Sequence, residues 1–253
     1  MRPLLLRCLA LSCLVAAWNV PAAAAEPAII AKARAFVASE SALESLKSIH
    51  FTGTMLTADP ADPKKQVKVA MDIIFQNPHQ QRIVATTDKT IETTALDGYD
   101  GWGRLQDAKN PERSRQTILP VDRIKRLRAN TWENLGFFRG IEKVGGRIEE
   151  QGTVVIDGVT CEKIAFIHAP NIIFYRFFDQ ATGRLVFTET ENGDTIREQG
   201  EMVVNGIRFS RGIVTTTKNA KGEVQTSTIT FDQVRVNEPA PAKLFAVPGY
   251  SAR

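Results

Sequence analysis

The sequence contains few of the residues that form metal sites and nucleophilic sites. Its 253 residues include three cysteines and three histidines, and His50, His79 and His168 lie far apart. No H-E-x-x-H or C-x-x-C pattern occurs, so a zinc site has no support. A G-x-S-x-G nucleophile elbow and a glycine-rich loop followed by Lys-Ser/Thr are also missing. We therefore expect a protein that is not an enzyme and that uses no cofactor.

Charge of one sign is also scarce. Lysine and arginine together number 32 and aspartate and glutamate 28, which gives a net charge of +4. A nucleic-acid binder needs a concentrated basic surface for phosphate contacts. We therefore expect no nucleic-acid partner. With 43% apolar residues the chain can bury a core, so whole-chain disorder is excluded.

The first 25 residues have the pattern of a cleaved secretory signal. A basic start is followed by a mostly apolar stretch at 4–18 and by small residues at 21–25. This order of segments is typical of export signals. Lipoprotein processing at Cys13 is the alternative, but the residue three before it is not the usual Leu.

Removal of this signal leaves residues 26–253, which we expect to form one ligand-binding domain, monomeric and located in the periplasm or secreted. Cys161 is then the single cysteine, and we expect it to pack as a small apolar side chain; a reactive thiol is the alternative. No later segment has 18 consecutive apolar residues, so the mature chain should contain no transmembrane segment.

Two segments have the apolar spacing of helices. Residues 28–47 carry an apolar stripe, interrupted by the capping-box pattern at 41–44, where the helix can pause and restart. The second predicted helix runs from Pro120 to Leu135, and Gly136 ends it. Each helix needs an apolar surface to cover.

The rest of the chain has the alternation of β-strands. The clearest case is 67–75, where apolar residues occupy every second position. Asn-Gly, Asp-Gly and similar turn dipeptides separate many of the runs, which favours antiparallel hairpins over a doubly wound nucleotide fold. The predicted strands are 49–56, 67–75, 81–86, 90–96, 102–106, 152–156, 160–168, 172–178, 185–190, 196–203, 207–217 and 224–234.

The two helices are too short to cover one face of so large a sheet. The sheet must therefore curl, which also protects its edges. We predict a mainly β (α+β) fold: a half-open antiparallel β-barrel with an N-terminal helix and an inserted lid helix. Such a barrel can enclose an apolar cavity.

Eight apolar residues are candidates for the cavity and its lid, with ordinary core packing as the alternative. They are Phe51, Phe75, Trp102, Ile124, Leu127, Trp132, Phe137 and Phe174. Basic residues are candidates for contact with lipid headgroups or a partner protein, with a solvated surface as the alternative. They are Arg82, Arg123 and Arg126.

Two acidic patterns have simpler explanations than catalysis or metal binding. The segment 97–101, DGYDG, lacks the spacing of a calcium loop and is better explained as a hairpin turn before Trp102. Glu189, Glu191 and Asp194 could be imagined as paired acids of a glycosidase, but beside a hairpin turn a solvated edge is the better interpretation.

Four segments resemble one family. They are LESLKSIHFTG at 43–53, FQNPHQQR at 75–82, TALDGYDGW at 94–102, and the closing VNEP and KLFAVP within 236–248. Together they resemble the periplasmic lipoprotein carriers of the LolA/LolB-like superfamily. The resemblance implies a half-open barrel with helical lids and an apolar cavity for the acyl chains of a lipid or lipoprotein.

One position departs from that family. The sorting carrier has an arginine before the proline of the strand turn, where it is associated with lid closure and cargo release. Here the residue is Asn77, and the nearest cation is Arg82. The resemblance therefore supports the fold more strongly than a role in lipoprotein sorting.

The sequence thus favours an envelope carrier or sensor that binds a lipid or an acylated protein. The first alternative is an envelope scaffold that binds protein or glycan and whose barrel is filled by its own side chains. The second is a hydrolase whose site carries no familiar motif.

Overall fold

The structure is a computed structural model that describes residues 26–59, 62–218 and 222–249. The predicted signal segment lies outside these residues. The described helices are α1 (Ala28–Val37), α2 (Glu40–Glu44) and α3 (Val121–Leu135), with 3₁₀ turns at Ile141–Val144 and Ala242–Leu244. None of these helices is long and apolar enough to cross a bilayer.

Strands make up most of the described chain. In chain order they are β1 (Ser48–Asp59), β2 (Asp62–Gln76), β3 (Gln80–Thr86), β4 (Thr90–Asp97), β5 (Asp100–Asp107), β6 (Ser114–Ile118), β7 (Arg147–Ile156), β8 (Val159–Ala169), β9 (Ile172–Asp179), β10 (Leu185–Thr190), β11 (Thr195–Gln199), β12 (Met202–Val204), β13 (Ile207–Phe209), β14 (Gly212–Lys218) and β15 (Val224–Val236).

One antiparallel sheet dominates the molecule. Among the described residues it has 13 strands in the order β6-β5-β4-β3-β2-β1-β15-β14-β11-β10-β9-β8-β7. The sheet does not close, so β6 and β7 are its two borders. The segment between them contains α3. The predicted half-open barrel with an N-terminal helix and an inserted helix is confirmed.

The turn dipeptides set the register of the hairpins. Asp157 and Gly158 have φ values of 50° and 81°, and Asn205 and Gly206 have 50° and 78°. Each pair forms a two-residue loop between directly paired strand ends. Positive φ at both loop positions is the geometry that these dipeptides tolerate best.

The N-terminal helical region breaks where the sequence predicts a pause, although the cap differs. Ser39 accepts a hydrogen bond from the backbone N–H of Ala42 at 3.3 Å and so begins α2, two residues before the predicted box. The helix α3 matches its predicted bounds: Pro120 is its N-cap and Gly136 its C-cap.

Two predicted strands are each divided in the structure. Gly200, with φ of 62°, ends β11, and a break at Ser210 and Arg211 separates β13 from β14. Between these breaks β12 and β13 form a separate two-stranded hairpin, which lies against α1. The prediction of continuous strands at 196–203 and 207–217 was wrong, because Gly200 and residues 210–211 interrupt the pairing.

Two apolar clusters form the core. The first contains α2, the hairpin and the central strands, and in it the ring of Phe51 lies against those of Phe209 and Phe231. The second joins α1 and α3 to β8 and β9, with Phe166 and Phe178 fully buried. The helices thus pack against the sheet through these two clusters.

Candidate functional site

A main cavity of about 440 Å³ lies inside the curved sheet. Strands from both halves of the sheet line it together with α1, the β12–β13 hairpin and the C-terminal half of α3. The apolar members of its lining are Ala33, Phe36, Val37, Ile49, Phe51, Ile73, Phe75, Ile83, Phe137, Phe138, Phe174, Leu185, Val186, Phe187, Ile196, Phe209, Ile213, Ile229 and Phe231. The volume falls in the range of about 300–1,000 Å³ found for small-ligand sites.

The alternation of side chains along the strands makes this wall apolar. Ile73 and Phe75 on β2 line the cavity, and Ile83 lies opposite Ile73 on β3. Because side chains alternate along a strand, the residues between them face the other side. The alternation visible in the sequence of β2 is therefore the origin of the cavity wall.

The chain after α3 is held in an unusual conformation at the cavity. Phe137 and Phe138 have φ values of 44° and 72°, in the left-handed region that bulky residues rarely adopt. Arg34 on α1, only 5% exposed, donates to the carbonyl oxygens of Gly136 at 3.1 Å and Phe137 at 2.8 Å. Its charge also suits the carboxyl end of α3. Arg34 thus fixes two phenylalanines that line the cavity.

A buried ionic cluster anchors α3 to the sheet. Glu133 on α3 is 2.7 Å from Nε2 of His168 on β8 and accepts hydrogen bonds from the guanidinium of Arg176 on β9. The guanidinium also lies over the rings of Phe138 and Phe166. Removing one member of such a cluster leaves a buried charge unpaired, so the cluster holds α3 in register with β8 and β9.

Two charged residues at the main cavity have no ion-pair partner among the described residues: Arg184 and Glu198. Glu198 lines the cavity and its side chain is exposed to the open space there, although the surrounding protein desolvates it in part. Burial raises the pKa of Glu198, and the nearby charges of Arg176 and Arg184 lower it in part. The main cavity therefore has one carboxyl that resists ionisation.

A second cavity, of about 440 Å³, adjoins the N-terminal half of α3. We call it the side cavity. Its lining residues are His79, Tyr99, Val121, Ile124, Lys125, Arg128, Ala129, Val144, His168, Ala169 and Ile172. None of them also lines the main cavity.

The eight predicted apolar residues are only partly brought together. Phe51, Phe75, Phe137 and Phe174 line the main cavity, and Ile124 lines the side cavity. The other three are buried and line neither; they are Trp102, Leu127 and Trp132.

The two predicted tryptophans occupy different places. Trp132 packs against Phe166 and His168 in the second core cluster. The Nε1 of Trp102 donates to the carbonyl oxygen of Phe245 at 2.8 Å, and its neighbour Gly101 lies beside Ile124. Trp102 therefore faces the opposite side of the sheet from the cavities.

The three predicted basic residues lie on two elements: Arg123 and Arg126 are one turn apart on α3, and Arg82 is on β3. Arg82 follows Gln81 and precedes Ile83, both of which face α3 or the main cavity, so Arg82 faces the outer side, 3.7 Å from Asp72. Arg123 is exposed on α3. Arg126 forms an ion pair with Glu191. A role for any of the three in headgroup binding stays a prediction.

The acidic turn after β10 is tied to α3. Arg126 forms an ion pair with Glu191 and also donates to the carbonyl oxygen of Asn171 at 3.2 Å. Burial opposes ionisation of Glu191, but Arg126 and the backbone N–H of Ile173 outweigh it and lower its pKa. The expectation that Glu191 is part of a solvated edge was therefore wrong, because α3 packs over it.

Two other sequence interpretations are confirmed. The DGYDG segment forms the β4–β5 hairpin, with Gly98 and Tyr99 as its loop. Cys161 is fully buried, and burial together with the charge of Asp179 raises the pKa of its thiol. Among the described residues no cluster of His, Cys, Asp or Glu could hold a metal ion.

Sequence reasoning missed several residues of the main cavity. Ile73 could have been included, because it shares the alternation of Phe75. No sequence pattern indicated Glu198, Arg176 or Glu133, since the curvature of the sheet decides whether these residues lie at the same cavity.

Comparison with known proteins gives a fold but no close relative. No protein-family model matches the sequence, and no curated protein matches it. Three solved structures superpose over most of the chain. A DUF1329 family protein from Desulfovibrio piger is 8% identical, with 87% of this chain and 96% of that chain covered and a TM-score of 0.54.

The other two belong to the group that the sequence motifs resemble. An outer membrane lipoprotein-sorting protein domain, as it is described, from Vibrio parahaemolyticus is 9% identical, covering 86% of this chain and 94% of its own, with a TM-score of 0.52. A LolA superfamily protein from Nitrosomonas europaea is 13% identical, covering 83% and 98%, with a TM-score of 0.54. At these identities the likeness establishes the fold alone.

Proposed function

Because the chain has a LolA/LolB-like fold, we propose that it is a non-enzymatic carrier or sensor of the cell envelope that binds the acyl chain of a lipid or acylated protein. In this proposal residues 1–25 direct export and residues 26–253 form the ligand-binding domain. The ligand occupies the main cavity.

The observation that supports this proposal is the open volume behind the apolar wall. Aromatic and branched aliphatic side chains surround about 440 Å³ that the protein's own side chains do not fill. Burial contributes about 0.8 kcal/mol per methylene, so a 14-carbon chain gains on the order of 10 kcal/mol before association costs. Binding therefore needs no special polar chemistry, which agrees with the scarcity of catalytic motifs.

The open volume also weighs against the scaffold alternative, in which side chains fill the barrel. A scaffold that binds protein or glycan on its outer surface has no use for an unfilled apolar interior. Such space costs stability, because its lining loses packing contacts.

Native mass spectrometry of protein purified gently from envelope provides the first test. We expect a co-purifying mass that organic extraction removes. Repeated absence of any such mass, together with failure of the extracted protein to bind a fluorescent probe that has an uncharged alkyl chain, would contradict the proposal.

A pair of substitutions then locates the site. Ile213 lines the main cavity and is half-buried, so Ile213→Trp should fill the cavity and weaken binding of the probe at least about tenfold. Val155 is 66% exposed on β7 and lines neither cavity, so Val155→Trp should leave the affinity unchanged. Equal affinities for the two variants would remove the main cavity from the proposed function.

A further inference from the structure

The side cavity has the walls of a site for an alkyl chain. Its apolar residues come from α3, the 3₁₀ turn and the β8–β9 turn, and several are left partly open. They are Val121, Ile124, Ala129, Val144, Ala169 and Ile172. Val121 is 66% exposed, so the cavity mouth itself is apolar. A cleft of this kind is favourable for apolar ligands.

The permanently charged residues that line this cavity, Lys125 and Arg128, are both positive. The basic residues of the lining are His79, Lys125, Arg128 and His168. Apart from the phenol of Tyr99, no acidic side chain is found in the described lining. The main cavity, by contrast, contains acidic and basic residues in equal number: Glu133, Glu198, Glu201, Arg176, Arg184 and Arg208. The two cavities therefore differ in the charges that line them.

Arg128 is the best positioned of these basic groups. Its Nη1 donates to the carbonyl oxygen of Gly98 at 2.7 Å, and its guanidinium lies 3.9 Å from the centroid of the Tyr99 ring. Among the described residues no carboxylate pairs with it. A guanidinium has five N–H donors, so most of those of Arg128 stay available in a fixed orientation.

The neighbouring basic groups support the same chemistry. Burial and the charge of Arg128 lower the pKa of His79, so its imidazole is neutral at pH 7 and can donate one hydrogen bond. Lys125 is paired only loosely with Asp122, at 3.9 Å between two exposed side chains. Such a pair is weak and leaves Lys125 free to turn toward a ligand.

We propose that the side cavity is a second site, separate from the main cavity, for a single alkyl chain that ends in a carboxylate. The chain lies along the apolar wall between α3 and the β8–β9 turn. The carboxylate binds the guanidinium of Arg128, with His79 and Lys125 beside it.

Calorimetric titration of the Ile213→Trp protein with dodecanoate tests this site without the main cavity. We expect one bound dodecanoate. Dodecyltrimethylammonium, with the same chain and the opposite charge, should bind at least about tenfold more weakly, and so should dodecanol, because a hydrogen bond to a charged group contributes at least that factor. Acetate, which has no chain, should not bind measurably.

Two arginines on the same helix provide a matched pair. Arg128→Gln should weaken dodecanoate binding at least about tenfold and leave the binding of dodecanol unchanged. Arg123 carries the same charge, is exposed and lines neither cavity, so Arg123→Gln should have an effect of less than about twofold. Equal effects of the two substitutions, or equal affinities for the three dodecyl compounds, would overturn the proposal.

A filling substitution tests the cavity independently of the charge. Ala169→Phe should abolish dodecanoate binding in the Ile213→Trp background and leave probe binding intact in the protein with Ile213. If the Ile213→Trp protein binds no dodecanoate whereas the parent protein binds one, the second site does not exist and the main cavity stands. If the parent protein binds no chain at all, the proposed function fails as well.

Discussion

At the scale of single residues, Gly183 shows how closely two elements approach. It has φ of 79°, and a Cβ at this position would lie 2.6 Å from the backbone carbonyl carbon of Lys32 in α1. Lys32 reinforces the contact by donating to the carbonyl oxygen of Gln180 at 2.6 Å. The β9–β10 turn can therefore touch α1 only with glycine here.

Replacement of this glycine should be costly for two separable reasons. Gly183→Ala combines a left-handed backbone penalty of about 1–2 kcal/mol with a steric penalty of about 1–3 kcal/mol. Gly193 has φ of 77° and nothing within 4 Å of its Cβ position, so Gly193→Ala carries only the first penalty. Urea unfolding of both variants measures the difference in the free energy of unfolding. Equal losses would show that α1 moves away from the added Cβ at no cost in stability.

Glu198 gives a prediction about pH. Its pKa is raised above the ordinary value of 4.5, mainly by burial. The folded state then holds this proton more tightly than the unfolded state, so the carboxyl lowers stability as pH rises from about 4.5 to neutrality. Glu198→Gln should therefore stabilise the protein at pH 7 and have no effect below about pH 4.

Urea unfolding at the two pH values checks this result. Glu201 also lines the main cavity, but it is ion-paired with Arg208. Glu201→Gln should bring no gain at pH 7 and is the control. A gain for Glu198→Gln that is the same at both pH values would show that its cause is not ionisation.

At the scale of elements, Arg34 and Arg139 allow a buried ionic contact to be compared with an exposed one. Both approach Glu40, but Arg139 is 39% exposed and Arg34 is buried against the end of α3. Arg34→Gln leaves the carbonyl oxygens of Gly136 and Phe137 without their donor, at about 1–3 kcal/mol for each buried group. We expect a loss of about 2–4 kcal/mol in the free energy of unfolding.

Arg139→Gln should cost less than about 1 kcal/mol, because exposed ion pairs contribute little. The two losses are compared by urea unfolding at pH 7. Probe binding to the main cavity should weaken only for Arg34→Gln, since Phe137 and Phe138 lose their support. Equal losses of stability would contradict the role assigned to Arg34.

The elements themselves were largely predictable, and their breaks were not. Alternation and turn dipeptides identified most strands, and α3 was found with its bounds. β6 was missed because its sequence, SRQTI, is polar and exposed on every residue and so carries no alternation. The break at Gly200 was missed because a glycine can also continue a strand, and its positive φ is seen only in the structure.

At the scale of the whole molecule, curvature decides which residues meet. The sequence indicated which face of each strand is apolar, and hence that a curved sheet could enclose a cavity. It could not place Glu198 on β11 near Arg176 on β9, because β10 lies between them and their distance depends on twist and bending. The division of the interior by α3 into two cavities has the same origin.

Residues 119–146 connect β6 to β7, the two unjoined borders of the sheet, and α3 lies within this connection. The backbone itself thus links the two borders covalently across the opening of the sheet. A bulky ligand that pushed β6 and β7 apart would stretch this connection. It would therefore also strain the contacts of Glu133 with His168 and Arg176. If the interior holds the proposed ligand, its entry is therefore coupled to the position of this connection.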